Sequence, residues 1–184
     1  FKLEDLLIGM MMRSGNDAAT AVAEHIGGTE EDFVVMMNEL AGDIGMTSSN
    51  FENPHGKDEE DHMVTAMDMT LLAQYAMSKP EFMRIVGHET FLMPETNKQK
   101  ERTIGTYNEF LIKDNSNYYE YANGMKTGST TGAGGCLVAS ATKDGQNLVC
   151  VVFGDTSNNK QERWNIAKSL FEFGFNNYTT IDVL

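Results

Sequence analysis

Apolar residues open the chain at helical spacing. Leu3, Leu6, Leu7 and Met10 share one face, Arg13-Ser14-Gly15-Asn16 interrupts, and Ala18, Ala19, Val22 and Ile26 resume the pattern until Gly27-Gly28 stops it. Thr29 followed by Glu30-Glu31-Asp32 has the form of a capped start with acids in the first turn, and predicts a helix from Phe33 to about Ile44. A polar loop follows, with Asn53-Pro54-His55-Gly56 and the charge run Lys57 to Asp61. Thr65 with Asp68 is a second cap, and Leu71, Leu72, Tyr75 and Ala76 line one face up to Lys79-Pro80. A short helix through Phe82 to Val86 follows.

From residue 88 the period changes. Glu89 to Met93 and Glu101 to Tyr107, separated by polar Glu95 to Lys100, predict an exposed hairpin, and residues 113–123 a polar, aromatic loop. Met125 to Ser129, Cys136 to Thr142 and Leu148 to Phe153 follow as strands. The last two are apolar on both faces, as strands between two helical layers would be. Lys143-Asp144-Gly145-Gln146 reads as a two-residue hairpin turn, whose register sets Cys136 opposite Phe153 and Cys150 opposite Ala139. The two cysteines then point to opposite faces, so two free thiols are expected. A final helix from about Lys160 to Phe173 carries Trp164, Ala167, Leu170 and Phe171 inward and stops at Gly174. Helices first and hairpin strands last predict an α+β fold, an antiparallel sheet with helices on both faces, and 184 residues suit one domain.

Charge removes one class of function. Asp plus Glu is 27 against 14 Lys plus Arg, a net charge of −13, and no basic stripe offsets it; nucleic acid is excluded as the default partner. The longest apolar run, Leu6 to Met12, falls far short of the about 18 residues that span a bilayer. His55, Asp58, Glu59, Glu60, Asp61 and His62 crowd together, but the run reads as a solvated loop rather than a metal site.

Two tripeptides carry the chemistry: Ser14-Gly15-Asn16 in a helix break and Lys126-Thr127-Gly128 at the start of the strand region. In this order and setting the chain resembles the active-site serine penicillin-recognising enzymes, whose motifs are S-x-x-K, S-D-N or S-G-N, and K-T-G. Within them it is most similar to the low-molecular-weight D-alanyl-D-alanine carboxypeptidases, through Ser14 to Ala19, Asn53-Pro54-His55-Gly56, Lys126-Thr127-Gly128, Cys136 to Ala141 and Phe173-Gly174-Phe175. The resemblance implies that Ser14 and Lys126 relay a proton towards the leaving amine, and that Asn16 donates to a substrate carbonyl. It also implies that Lys126 to Ser129 is an edge strand pairing with an extended peptide, with room at Gly128 and an oxyanion donor in the Ser129 N–H. Arg163 matches by position an arginine near the substrate's terminal carboxylate, and the Thr127 hydroxyl could add to it. The partners implied are peptidoglycan stem peptides and β-lactams. The location implied is extracytoplasmic, with any anchor outside this chain, and no metal or organic cofactor is implied.

One motif is displaced. S-x-x-K should precede Ser14-Gly15-Asn16, yet its occurrences here are Ser140 to Lys143 and Ser157 to Lys160, both after Lys126-Thr127-Gly128. Neither suits a nucleophile at a helix start, so the serine, its lysine and the first sheet strands are expected upstream or on another chain. A sheet without those strands would leave an edge open to dimerisation. A class A β-lactamase-like hydrolase is the first alternative, weakened because no glutamate between Ser14 and Lys126 has an asparagine four residues on. A non-catalytic wall-binding module on the same scaffold is the second.

Overall fold

Helix-stop and capping residues shape the first half of the chain. The computed structural model describes residues 2–180; in it α1 (Leu3–Arg13) ends at Ser14, whose backbone is left-handed at φ 53°, and α2 (Asn16–Gly27) begins two residues later. The Thr29 side chain accepts from the Asp32 N–H and opens α3 (Glu30–Asp43), while Thr65 accepts from Asp68 and opens α4 (Ala66–Met77). The third helix therefore starts at its cap rather than at Phe33. Pro80 begins α5 (Pro80–Val86), where its missing N–H costs nothing.

The buried stripe of α1 differs from the predicted one. Ile8 and Met12 are buried against Ile85 of α5 and Met93, with Leu7 and Met11 beside them, and Leu3 is exposed. The partners explain the rotation: α1 packs on α5 and on the hairpin of β1 (Thr90–Met93) and β2 (Arg102–Gly105), and these select the Ile8 side of the helix. Ile26 and Tyr75 are likewise exposed.

The second half holds an antiparallel sheet in the order β3 (Ala122–Thr130), β4 (Gly134–Lys143), β5 (Gln146–Asp155). Asp144 and Gly145 turn the β4–β5 hairpin with φ of 50° and 81°, the pair of positive values a type I′ turn requires. Ala139 pairs with Cys150 as predicted, and both cysteines are free thiols. The register then slips: Leu137 pairs with Val152 but Gly135 with Asp155, so Cys136 faces a bulge of Phe153 and Gly154 instead of Phe153 alone. Gly154 takes the left-handed φ of 73° that lets the extra residue fit.

Helices cover both faces, as the two-sided apolar strands predict. Leu137, Ala139 and Ala141 point towards α6 (Glu162–Asn177) and form a core with Phe110, Tyr119, Trp164, Ala167 and Phe171. On the other face α5 lies against β3, where an added Cβ at Gly124 would come within 3.0 Å of Val86 Cγ2, and α4 lies against β5. Two details of α6 correct the sequence reading. It starts at Glu162 because Asn159 and Lys160 are left-handed, and it runs through Gly174, where a Cβ would lie 2.6 Å from Leu148 Cδ1. Leu170, expected inward, is exposed. Among the described residues β3 and β5 each present one unpaired edge.

Candidate active site

Ser14 is set by backbone geometry. The Gly15 N–H donates to Gly9 O at 3.4 Å, closing α1, and Tyr107 N–H donates to Met12 O at 3.1 Å. Arg13 lies 4.1 Å over the Tyr107 ring and donates to Gly105 O at 3.3 Å, which fastens the end of α1 to the hairpin. This places Ser14 beside β3. The Lys126 ammonium donates to Ser14 Oγ across 112 positions of sequence, and to Thr127 O at 2.6 Å. Burial lowers the Lys126 ammonium to about 8, because the charged form has lost water and no carboxylate among the described residues lies within 4.0 Å of it. Such a group exchanges a proton near neutral pH.

The remaining predicted residues lie on α2, along β3 and at the start of α6. Asn16 is exposed at the first position of α2, two residues from Ser14. Thr127 is half-buried, while Gly128 and Ser129 are exposed along the edge of β3. Alternation of side chains puts Lys126 on the α5 face and Thr127 and Ser129 on the α6 face. From α6, Arg163 reaches the strand: its Nη1 donates to Gly128 O at 3.1 Å and to Cys136 O at 3.4 Å, and its Nε is buried without a partner.

Asp155 builds that end of the site. Its carboxylate accepts from the Ser157 N–H at 2.9 Å and the Ser157 hydroxyl at 2.5 Å, and from the Arg163 N–H at 2.9 Å. Burial pushes its carboxyl up, but these donors outweigh that and hold it below the usual carboxylate range. Sequence reasoning missed Asp155, although an acid at the end of an apolar strand, two residues before a serine, is a capping signal. It also missed Asp58, which accepts from Thr130 Oγ1 at 2.5 Å and from the Gly132 N–H at 3.1 Å. Lys57 to Asp61 are all exposed, as expected of a solvated loop, and Asp58 ties the run to the β3–β4 turn.

The two displaced S-x-x-K serines are otherwise engaged. Ser140 is fully buried and donates to Asn123 Oδ1 at 2.6 Å, and the Ser157 hydroxyl is held by Asp155. Among the described residues no group of three His, Cys, Asp or Glu is placed to hold a metal ion.

An S-G-N helix break facing a K-T-G edge strand, with helices on both faces of an antiparallel sheet, is the architecture of the penicillin-recognising serine enzymes. The comparisons narrow the class. The D-alanyl-D-alanine carboxypeptidase family profile matches residues 1–157. D-alanyl-D-alanine carboxypeptidase DacF of Bacillus subtilis is 37% identical over 179 residues, covering 97% of this chain and 44% of that protein. DacC of Escherichia coli is 35% identical over 178 residues, covering 96% and 42%. A solved D-alanyl-D-alanine carboxypeptidase from Mycobacterium tuberculosis superposes with a TM-score of 0.86 at 30% identity, over 100% of this chain and 67% of that one. A serine-to-alanine mutant of the Streptomyces K15 DD-transpeptidase gives 0.86 at 28%, over 95% and 68%. The chain belongs to the D-alanyl-D-alanine carboxypeptidase family. It spans less than half the length of these two curated relatives.

Proposed function

We propose that this chain forms the substrate groove of a serine D-Ala-D-Ala carboxypeptidase that trims peptidoglycan stem peptides outside the cytoplasmic membrane, with the acylated serine supplied from outside residues 1–184. Lys126 and Ser14 relay the proton from the nucleophile to the departing D-alanine. The Asn16 amide holds a substrate carbonyl, and the free edge of β3 pairs with the extended peptide across Gly128. The Ser129 N–H stabilises the oxyanion. Arg163, aided by the Thr127 hydroxyl, takes the terminal carboxylate, which excludes peptides lacking a free C-terminus.

The observation that carries this reading is the contact of the Lys126 ammonium with Ser14 Oγ. Release of D-alanine from diacetyl-L-lysyl-D-alanyl-D-alanine by the full-length gene product tests it, together with covalent labelling by a fluorescent penicillin. Both signals are expected. Labelling that persists for hours without D-alanine release would point to a penicillin-binding module, and rapid turnover of the penicillin to a β-lactamase.

The unpaired edge of β5 supports one further expectation, association of copies through that edge. Light scattering tests it, and a monomer at high concentration overturns it.

A further inference from the structure

We propose that Lys160 is a second cationic ligand for the substrate's terminal carboxylate, working beside Arg163 from the α6 side of the β3 edge. The proposal rests on the carboxypeptidase reading and adds a specificity residue to it.

Lys160 closes the displaced Ser157-to-Lys160 string, and its position comes from the loop that Asp155 builds. Asp155 fixes Ser157, the Lys160 N–H donates to Ser157 O at 2.9 Å, and Asn159 and Lys160 follow in left-handed backbone at φ 59° and 54°. Two consecutive non-glycine residues in that region are strained, so the loop holds a shape that a relaxed chain would not choose. Its result is to turn the Lys160 side chain back over the sheet, where Nζ donates to Ser129 Oγ. Arg163 occupies the adjacent strand position through Gly128 O.

The Lys160 and Arg163 side chains approach one another over Gly135, beside the Asp155 side chain. At Gly135, the partner of Ser129 across the β3–β4 ladder, an added Cβ would lie 3.0 Å from Lys160 Cβ and 3.2 Å from Arg163 Nη1. Among the described residues no carboxylate lies within 4.0 Å of either cation, in a chain where acids outnumber bases 27 to 14. The buried Arg163 Nε has no partner, so this corner also holds an unused donor. A peptide laid along the β3 edge passes Lys126 on one face and ends between Lys160 and Arg163 on the other. Its carboxylate then replaces the Ser129 hydroxyl as the acceptor for Lys160, a charge-assisted bond exchanged for a neutral one.

The test compares Lys160→Met, Lys160→Arg and Arg163→Met in the full-length gene product. Two quantities are read for diacetyl-L-lysyl-D-alanyl-D-alanine and its C-terminal amide: affinity by NMR titration and kcat/KM for release of the C-terminal residue. Lys160→Met is expected to lower the preference for the free acid over the amide by about tenfold, with amide binding unchanged, and Lys160→Arg is expected to restore it. An unchanged preference in Lys160→Met, with release intact, overturns the Lys160 assignment and leaves the peptidase reading standing. Absence of release from the unaltered protein, with a Lys160-dependent preference in binding, does the reverse.

Discussion

The ammonium of Lys126, on an edge strand, donates to the hydroxyl of Ser14, in the two-residue break between α1 and α2, although 112 positions separate them. Each residue is held by a different lobe, Ser14 by the α1–hairpin core and Lys126 by the sheet. The pair therefore reports whether the two lobes are docked.

Ser14 combines its contact to Lys126 with strain. Its left-handed φ of 53° suits glycine better than serine. Ser14→Gly is expected to raise stability by about 1 kcal/mol, read by urea denaturation, while abolishing the contact to Lys126. Ser14→Ala in the full-length gene product is expected to slow D-alanine release by roughly 10²–10⁴-fold. Near-native release in either variant would remove Ser14 from the proton relay.

Lys126 gives stability a pH signature. Its ammonium titrates at about 8 when folded against an ordinary 10.5, so the unfolded chain binds more protons between those values. The Lys126 contribution is therefore unfavourable below about 8 and is relieved as pH rises towards 10.5. Cys150 acts oppositely, because burial pushes its thiol from 9.0 to about 11 and deprotonation favours the unfolded chain. The difference between the wild type and Lys126→Met, followed by chemical denaturation from pH 7.5 to 10.5, isolates the lysine. A difference that stays flat across that range contradicts its desolvation.

Asp155 gives an acid-side signature. Its carboxyl is held low by Ser157 and Arg163, so its contribution is complete above the ordinary carboxylate range and is lost as pH falls through the lowered value. Asp155→Asn is expected to flatten the acid limb of the stability curve and to raise KM with little change in kcat, since it loosens the loop carrying Lys160 and the start of α6. A kcat effect without a KM effect would place Asp155 in the chemistry instead.

Asp58 ties loop to hairpin through Thr130 and Gly132. Asp58→Ala is expected to speed amide exchange at Gly132 and to open residues 57–61 to proteolysis, leaving the exchange of β4 unchanged. Equal protection in both forms would show that the contact contributes nothing in solution.

Much of this arrangement is legible in residue order. The caps at Thr29 and Thr65, the Asp144-Gly145 turn, the free thiols and the α+β class all follow from local rules, because each depends on residues within a few positions of one another. What local rules miss depends on distant partners. The buried side of α1 is chosen by α5 and the hairpin, Gly174 packs on Leu148, and Asp58 finds its donors more than 70 positions away. In the site, the K-T-G and S-G-N residues are legible through their motifs. Asp155 carries only the local signal of an acid two residues before a serine, and the place of Lys160 is set by the β5 bulge and the left-handed turn after it.

That bulge links residue count to electrostatics. Side chains in a strand alternate with period two, so removing Gly154 would turn Asp155, the last residue of β5, to the opposite side of the sheet. Asp155 would then point away from Ser157 and from the first turn of α6, and the cationic corner beside Ser129 would lose its foundation without the loss of a single charged residue. The placement of Asp155 thus depends on one glycine that carries no side chain.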